Sequence, residues 1–562
     1  MNTNSLYSKP SNERLQELLK RVRESKSNDS SIPSSSPASP SSPIPEAKTG
    51  TGIHGEVITY NSEQLQFIET VTSGESCILI GAAGTGKTTC TRGAVTSLIQ
   101  SKNSRVLVSE SHKHLTSGTP AIVAVSYTRR AVSNLKKALS DDMKGNCITI
   151  HKLLEYQPVY YQVIDENTGN EVNTMRFEAT RNAHKPLPSS IQTIIIDESS
   201  MVSVELFKQL VEALPHNPQF IFLGDIQQLP PVFGSAILGF KMLELKTIEL
   251  TQVYRQALES PIIKLAHRIL SGNPIDSKEF PSWEYPDKLK LHPWKKKLSS
   301  DLATMTAAKF FTTAIDHGRF NPEEDVILMP FNKAFGTEEV NKHIAQHLAR
   351  KNNKPVFEVI AGFNKIYCHV GLKVLYDKED AVIVDIARNS TYLGKSFQNE
   401  SVTLDYWGHQ NNRTVGTVAN SQNDEMSLEH IDMMLDQVAS GNEERVKVAS
   451  HIITVQMLDS GDTAELETAS EINSLLLGYA LTVHKAQGSE WRKVFLCFHQ
   501  SHATMLQREL LYTAVTRARE ELYVICEPDS FQNGIKSQRI KGNTLAEKAE
   551  YFKGKSEKNG GY

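Results

Sequence analysis

The chain has 562 residues, with 61 Lys and Arg against 64 Asp and Glu, a formal net charge of −3; 22% of residues are charged and 39% hydrophobic. At roughly 150 residues per domain, three or four domains are expected. This composition excludes wholesale disorder, a collagen-like or coiled-coil rod and a surface coated in positive charge, but not nucleic-acid binding through a local basic channel.

Residues 1–55 read as a disordered tail. Within it, 11–25 has the pattern of a short helix, with Ser11 as cap and Leu15, Leu18, Leu19 and Val22 on one face. That helix is either a frayed end or a tethered peptide for a partner such as a replication protein. A Ser/Pro-rich linker follows at 27–45. Beyond it, apolar β-type runs at 77–81, 121–125, 193–197 and 220–224 alternate with helical patterns. Runs that are apolar throughout indicate a parallel sheet buried on both faces, in a doubly wound α/β domain. A second set lies at 326–330, 479–484, 494–498 and 522–526. Between its members, 355–475 is β-rich, polar and too long for a loop, so it reads as an inserted domain, with a helical, acidic excursion at 423–449.

The six cysteines (Cys77, Cys90, Cys147, Cys368, Cys497 and Cys526) form no Cys-x-x-Cys pair. Neither a zinc site nor a disulfide framework is expected, and a reducing compartment fits. No apolar run approaches the ~20 residues that span a bilayer, and no signal core opens the chain. The expectation is a cytoplasmic protein, in a bacterium or a phage-infected host, with no membrane partner.

The strongest motif is Gly81-Ala82-Ala83-Gly84-Thr85-Gly86-Lys87-Thr88-Thr89, which fits G-x-x-x-x-G-K-[ST] between a strand and a helix. Its glycines let backbone N–H groups wrap the phosphates of ATP. Lys87 reaches the β- and γ-phosphates, and the Thr88 hydroxyl suits Mg²⁺. Next, a hydrophobic strand ends in Asp197-Glu198, with Asp197 suited to Mg²⁺ and Glu198 to polarising water. These two motifs fit small-molecule kinases and GTPases as well. Further strings narrow the choice: Gly224-Asp225-Ile226-Gln227-Gln228-Leu229-Pro230-Pro231-Val232, Leu250 to Arg255, Leu481-Thr482-Val483-His484-Lys485-Ala486-Gln487-Gly488-Ser489-Glu490, and Leu511 to Arg519. A glutamine and two arginines delivered after separate strands suit a phosphoryl-transfer site closed by a second domain.

The ordered set, spanning 61–519, resembles the motifs of superfamily 1B DNA helicases of the RecD and Dda type. The strings Thr149-Ile150-His151, Tyr156-Gln157-Pro158-Val159 and Asp197-Glu198-Ser199-Ser200-Met201 are most like those of phage Dda-type enzymes. The resemblance implies two RecA-like P-loop NTPase motor domains with an inserted β-hairpin (the pin) and an inserted small β-barrel domain. Motor domain 1A would cover 56–258, with the hairpin insertion at about 156–188. Motor domain 2A would cover 259–354 and 476–530, the barrel 355–475, and a C-terminal tail 531–562.

It further implies an ATP-dependent helicase that moves 5′→3′ on single-stranded DNA and opens forked duplexes. A translocase that mainly displaces proteins, or an RNA-acting helicase, stays open as an alternative. By the same resemblance, Gln64 in Asn61-Ser62-Glu63-Gln64 reads adenine, Gln228 senses the γ-phosphate, and Arg255 and Arg517 are arginine fingers. Tyr127, Thr128, His151, Thr482 and His484 would contact DNA. Here the chain departs from the family: Ser126-Tyr127-Thr128 stands where Ala-Pro-Thr is usual, so Tyr127 either stacks on a base or packs inside. Residues 158–178 read as the hairpin, two alternating segments about the turn at Glu166 to Asn170. The stretch Lys288 to Lys297 reads as a solvated basic loop, with nucleic-acid contact as the alternative.

Overall fold

A computed structural model describes residues 49–558, apart from 52–56, 102–104, 165–170, 253–258, 295–297, 334, 363, 377–378, 393–447 and 459–460. The N-terminal helix and linker, the acidic excursion at 423–449 (described only at 448–449) and Arg255 therefore fall largely or wholly outside the described residues. Among the described residues, no helix is long and apolar enough to cross a membrane.

The body is mixed α/β and contains two parallel sheets. The first has six strands: β1 (Cys77–Gly81), β2 (Ile122–Ser126), β3 (Cys147–Thr149), β4 (Thr193–Asp197), β5 (Gln219–Gly224) and β6 (Lys246–Leu250). Their order is β6-β1-β5-β4-β2-β3, and every neighbouring pair is parallel. Alternation explains why the strands look uniformly apolar. Ile78, Ile80, Val123, Val125, Ile194 and Ile196 enter one core, while Cys77, Leu79, Ile122, Ala124 and Ile195 enter another on the opposite face. Each fully buried aliphatic side chain there contributes roughly 1.5–3 kcal/mol. The second sheet comprises β7 (Leu289–Pro293), β8 (Val326–Met329), β9 (Ala480–Thr482), β10 (Trp491–Phe498) and β11 (Ala518–Cys526), ordered β7-β11-β10-β8-β9 and again parallel.

Between β8 and β9 the chain forms an antiparallel pair, Phe357–Ala361 with Asn364–Cys368. It then forms an antiparallel five-stranded sheet from Lys373–Tyr376, Glu379–Arg388, Val448–Met457, Thr463–Thr468 and Leu476–Leu477. A hairpin leaves the first sheet between β3 and β4, Gln157–Ile164 paired residue for residue with Glu171–Glu178.

Two expectations are corrected. The stretch 288–297 is not a basic loop over its described part: Leu289 and Leu291 point into the core, and β7 pairs with β11. Its lysines alternate with the leucines and hide a short strand signal; the Lys290 ammonium lies 5.6 Å from the Tyr523 ring centre. The segment expected as a C-terminal tail, 531–562, packs back on the body over its described part, 531–558. After β11, helix Pro528–Lys536 packs on the second sheet, and helix Leu545–Lys558 then returns to the first. There Phe552 meets Phe240 at 5.3 Å between ring centres, over Gly239, where a Cβ would collide with the Phe552 ring. Lys548 is fully buried. The returning helix carries few large apolar side chains, so its sequence shows no stripe.

The hairpin's base rests on a buried ion pair. The Arg181 guanidinium grips the Glu155 carboxylate through Nε and Nη2, both at 2.9 Å, and Lys185 adds a bond at 2.8 Å. Burial pushes the Glu155 carboxyl up, but the bonds from Arg181, Lys185 and the Lys113 N–H outweigh it and hold the group well below the carboxylate range. Arg181→Ala is expected to cost about 3–5 kcal/mol, because it strips the buried Glu155 carboxylate of both guanidinium bonds and leaves it only the half-exposed Lys185 and one N–H. A thermal melt series against pH checks both size and sign. The carboxyl is depressed in the folded state, so the wild-type advantage is complete above about pH 5 and shrinks as pH falls through the acid range.

Candidate functional site

The P-loop connects β1 to the helix Lys87–Gln100. Gly84 and Gly86 sit at φ of 80° and 84°, in the left-handed region that favours glycine. A Cβ on Gly81 would strike the Thr85 hydroxyl. No side chain caps the helix at Gly86, so its first-turn N–H groups at Thr88 and Thr89 are free of a side-chain cap. Lys87 Nζ donates to the carbonyls of Gly81 at 2.5 Å and Ala82 at 3.2 Å, and Thr85 Oγ1 to Ala82 O at 2.9 Å.

Asp197 closes β4, two strands along from β1. Glu198 follows at φ 49°, a strained conformation for a non-glycine residue. Burial, then the Glu198 charge, raises the Asp197 carboxyl above its ordinary range, while Lys87 pulls it back. Such a group favours a cation beside it.

Gln64 lies in the first turn of helix Ser62–Thr72, in a reciprocal cap with Asn61. Asn61 Oδ1 accepts from Gln64 N at 2.8 Å, and Gln64 Oε1 accepts from Asn61 N at 3.1 Å. The amide oxygen is thus already engaged, and Gln64 Nε2 is buried with no partner. Gln228 is also buried, with Oε1 unpartnered. Two open hydrogen-bonding atoms on the residues expected to read base and γ-phosphate fit a nucleotide site.

The loop after β5 crosses to the second sheet. Tyr512 Oη, on helix Arg508–Val515, donates to Asp225 Oδ2 at 2.6 Å. Leu229 N donates to Thr513 Oγ1 at 2.9 Å, and Gln487 Nε2 to Leu229 O at 2.8 Å. Arg517 follows the same helix but is buried, giving Nε, Nη1 and Nη2 to Thr513 O, Ser489 O and Thr516 Oγ1. To reach a phosphate, its guanidinium must leave these acceptors. Glu490 binds Arg519 through Oε2 at 3.0 Å.

The residues expected to meet a strand are only partly together. Tyr127, His151 and Tyr156 form an edge-to-face chain, at 5.3 and 4.9 Å between ring centres. With His484, Val232 and Phe233 they line a cavity of about 260 Å³. Thr128 Oγ1 caps the following helix by accepting from Ala131 N at 3.2 Å. Thr482 is buried at the end of β9, turned toward Lys485 N at 3.4 Å, and does not line that cavity. Phe233, which the sequence reading missed, is 86% exposed, and Val232 beside it 56%. An aromatic just past Gln228-Leu229-Pro230-Pro231 was the available signal.

An AAA domain family matches residues 64–234, and the UvrD-like helicase C-terminal domain matches 477–525. The ATP-dependent RecD2 DNA helicase of Deinococcus radiodurans is 27% identical over 485 residues, covering 86% of this chain and 51% of its own. The chain thus spans about half the length of that relative. The RecD subunit of the RecBCD enzyme of Buchnera aphidicola (from Acyrthosiphon pisum) is 23% identical, covering 81% of this chain and 71% of its own. Among solved structures, the Pif1 helicase from Candida albicans aligns with 89% of this chain and 100% of its own, at 16% identity and a TM-score of 0.42, a likeness too loose to transfer a role. The two matched domains and the RecD relatives make the chain similar to the RecD-like helicases of superfamily 1B.

One contact between the two sheets is directly testable. Gly488 sits at φ 74°, and a Cβ there would come within 2.6 Å of Thr128 Oγ1. Gly488→Ala is expected to destabilise by about 1–3 kcal/mol through strain and clash. Adding Thr128→Ala removes the clash but not the strain. A double-mutant cycle by thermal melting should therefore show less than additive loss.

Proposed function

We propose that this protein is an ATP-dependent DNA helicase that moves along single-stranded DNA, 5′→3′, and separates forked duplexes. The observation that carries this is the loop Asp225–Leu229, bonded at once to the helix Arg508–Val515 that leads into Arg517 and to Gln487 of the Val483–Gly488 turn. A kinase or GTPase has no use for such a link between nucleotide site and second sheet.

In this reading the first sheet, 56–258, is one motor domain and the second, 259–354 with 476–530, is the other. The insertion 355–475 is the barrel domain, and the hairpin within 156–188 is the pin that meets the duplex. Adenine would be read by Gln64 Nε2. The P-loop N–H groups and Lys87 would hold the phosphates, and Thr88 with Asp197 would hold Mg²⁺. A Mg²⁺ ion held there would supply positive charge against the transferring phosphoryl group. Glu198 orients the attacking water and takes its proton, and Gln228 reports the γ-phosphate to the loop. Arg517 and Arg255 close from the cleft once Arg517 gives up its carbonyls. Tyr127, Thr128, His151, His484 and Phe233 form the strand's track, and Thr482, buried in this structure, has no place on it.

Lys87→Ala should abolish both ATPase and unwinding; wild-type unwinding by that variant would falsify the mechanism. Forked duplexes with a single 5′ or 3′ tail test polarity, with opening expected only from the 5′ tail. Affinity for single strands should fall with salt, at a log–log slope near −0.7 per neutralised phosphate. Phe233→Ala should weaken single-strand binding by about 1–3 kcal/mol, the worth of one stacked base, measured by fluorescence anisotropy. Unchanged affinity removes Phe233 from the track.

A further inference from the structure

The Tyr512 hydroxyl has two partners. It donates to Asp225 Oδ2 at 2.6 Å and accepts from the backbone N–H of Ala83 at 2.9 Å. Ala83 lies inside the P-loop, whereas Tyr512 belongs to helix Arg508–Val515 on the second sheet. Tyr512 is buried, and burial together with the Asp225 charge keeps its phenol protonated. The proton is therefore committed to Asp225, and an oxygen lone pair faces the N–H.

An oxygen at that place competes with any phosphate oxygen that seeks the same donor. The Lys87 ammonium is occupied in the same sense, since its Nζ rests on the Gly81 and Ala82 carbonyls. Asp225 is itself pinned, its Oδ1 accepting from Gln227 N at 2.9 Å. The phenol thus stands between the P-loop and the residues that lead to Gln228.

We propose that Tyr512 is a positioning residue that holds the P-loop through Ala83 N–H in competition with nucleotide phosphate, so that phosphate must displace the phenol from this one donor as it binds. The inference rests on the reading of Gly81–Thr89 as the nucleotide cradle. It assigns Tyr512 a role distinct from Arg517: the arginine acts on the transferring group, whereas the tyrosine sets what binding must displace.

The test uses the full chain, with fluorescent mant-ADP and Mg²⁺ as the binding probe and steady-state ATPase with single-stranded DNA as the second readout. Tyr512→Phe keeps the ring and removes the oxygen. It is expected to bind mant-ADP roughly five- to tenfold more tightly, the worth of one competing hydrogen bond. KM for ATP should fall by the same factor, a change that general loosening of the fold, which lowers kcat, does not produce. Asp225→Asn weakens the anchor of the phenol without touching the P-loop. It should shift binding in the same direction, and it carries the test where Tyr512→Phe folds poorly. Unchanged or weaker mant-ADP binding in the folded variant overturns the proposal. Failure of wild type and variants alike to bind mant-ADP overturns the nucleotide-cradle reading, and this inference with it.

Discussion

The short loop Asp225–Leu229 is the constraint on which the rest depends. It leaves the first sheet at the end of β5 and spends its hydrogen bonds on the second: Asp225 on Tyr512, Leu229 N on Thr513, and Leu229 O on Gln487. Each such bond contributes only about 0.5–1.5 kcal/mol net. A polar link of this strength holds a register yet gives way to a competing ligand, which a fused apolar core does not do. The two sheets have largely separate cores, and the loop adds one apolar anchor to its polar bonds: Leu229 is buried in the core of the second sheet.

A second link lies further from the nucleotide site. Arg130, just after Thr128, bonds Asp380 at 2.6 Å and the Glu490 carbonyl at 3.1 Å, with its guanidinium carbon 4.6 Å from the Trp491 ring centre. One side chain of the first sheet thus touches the insertion and the second sheet together. The contact between Thr128 and Gly488 lies in the same region, so the segment expected to grip a strand is also where the three parts of the chain meet.

Much of the site was legible because its chemistry is local. A P-loop needs glycines at fixed offsets, and a strand ending in Asp197-Glu198 announces itself by its apolar run. Most strands of the two parallel sheets were readable for the same reason. What escaped was whatever depends on a distant partner. β6 and β7 are short, half-polar strands whose burial comes from β1 and β11. The helix Leu545–Lys558 looks like surface until Phe552 finds Phe240. Tyr512 stood inside a recognised string, but its partners lie 429 and 287 residues away.

The sequence by itself determined residue types and their spacing: a glycine-rich turn before Lys87, a paired carboxylate at Asp197-Glu198, arginines after later strands, and a hairpin between Tyr156 and Asp197. It also placed the net charge of −3 in proportion, since only a local track need be positive. Tertiary structure alone decided which atoms are free to act. Gln64 keeps only its amide nitrogen because its oxygen caps a helix, Arg517 is held by carbonyls, and Thr482 lies beneath the surface. Motif spacing specifies residue types along the chain. Whether a donor or acceptor is spent or available depends on neighbours that only folding brings within 3 Å.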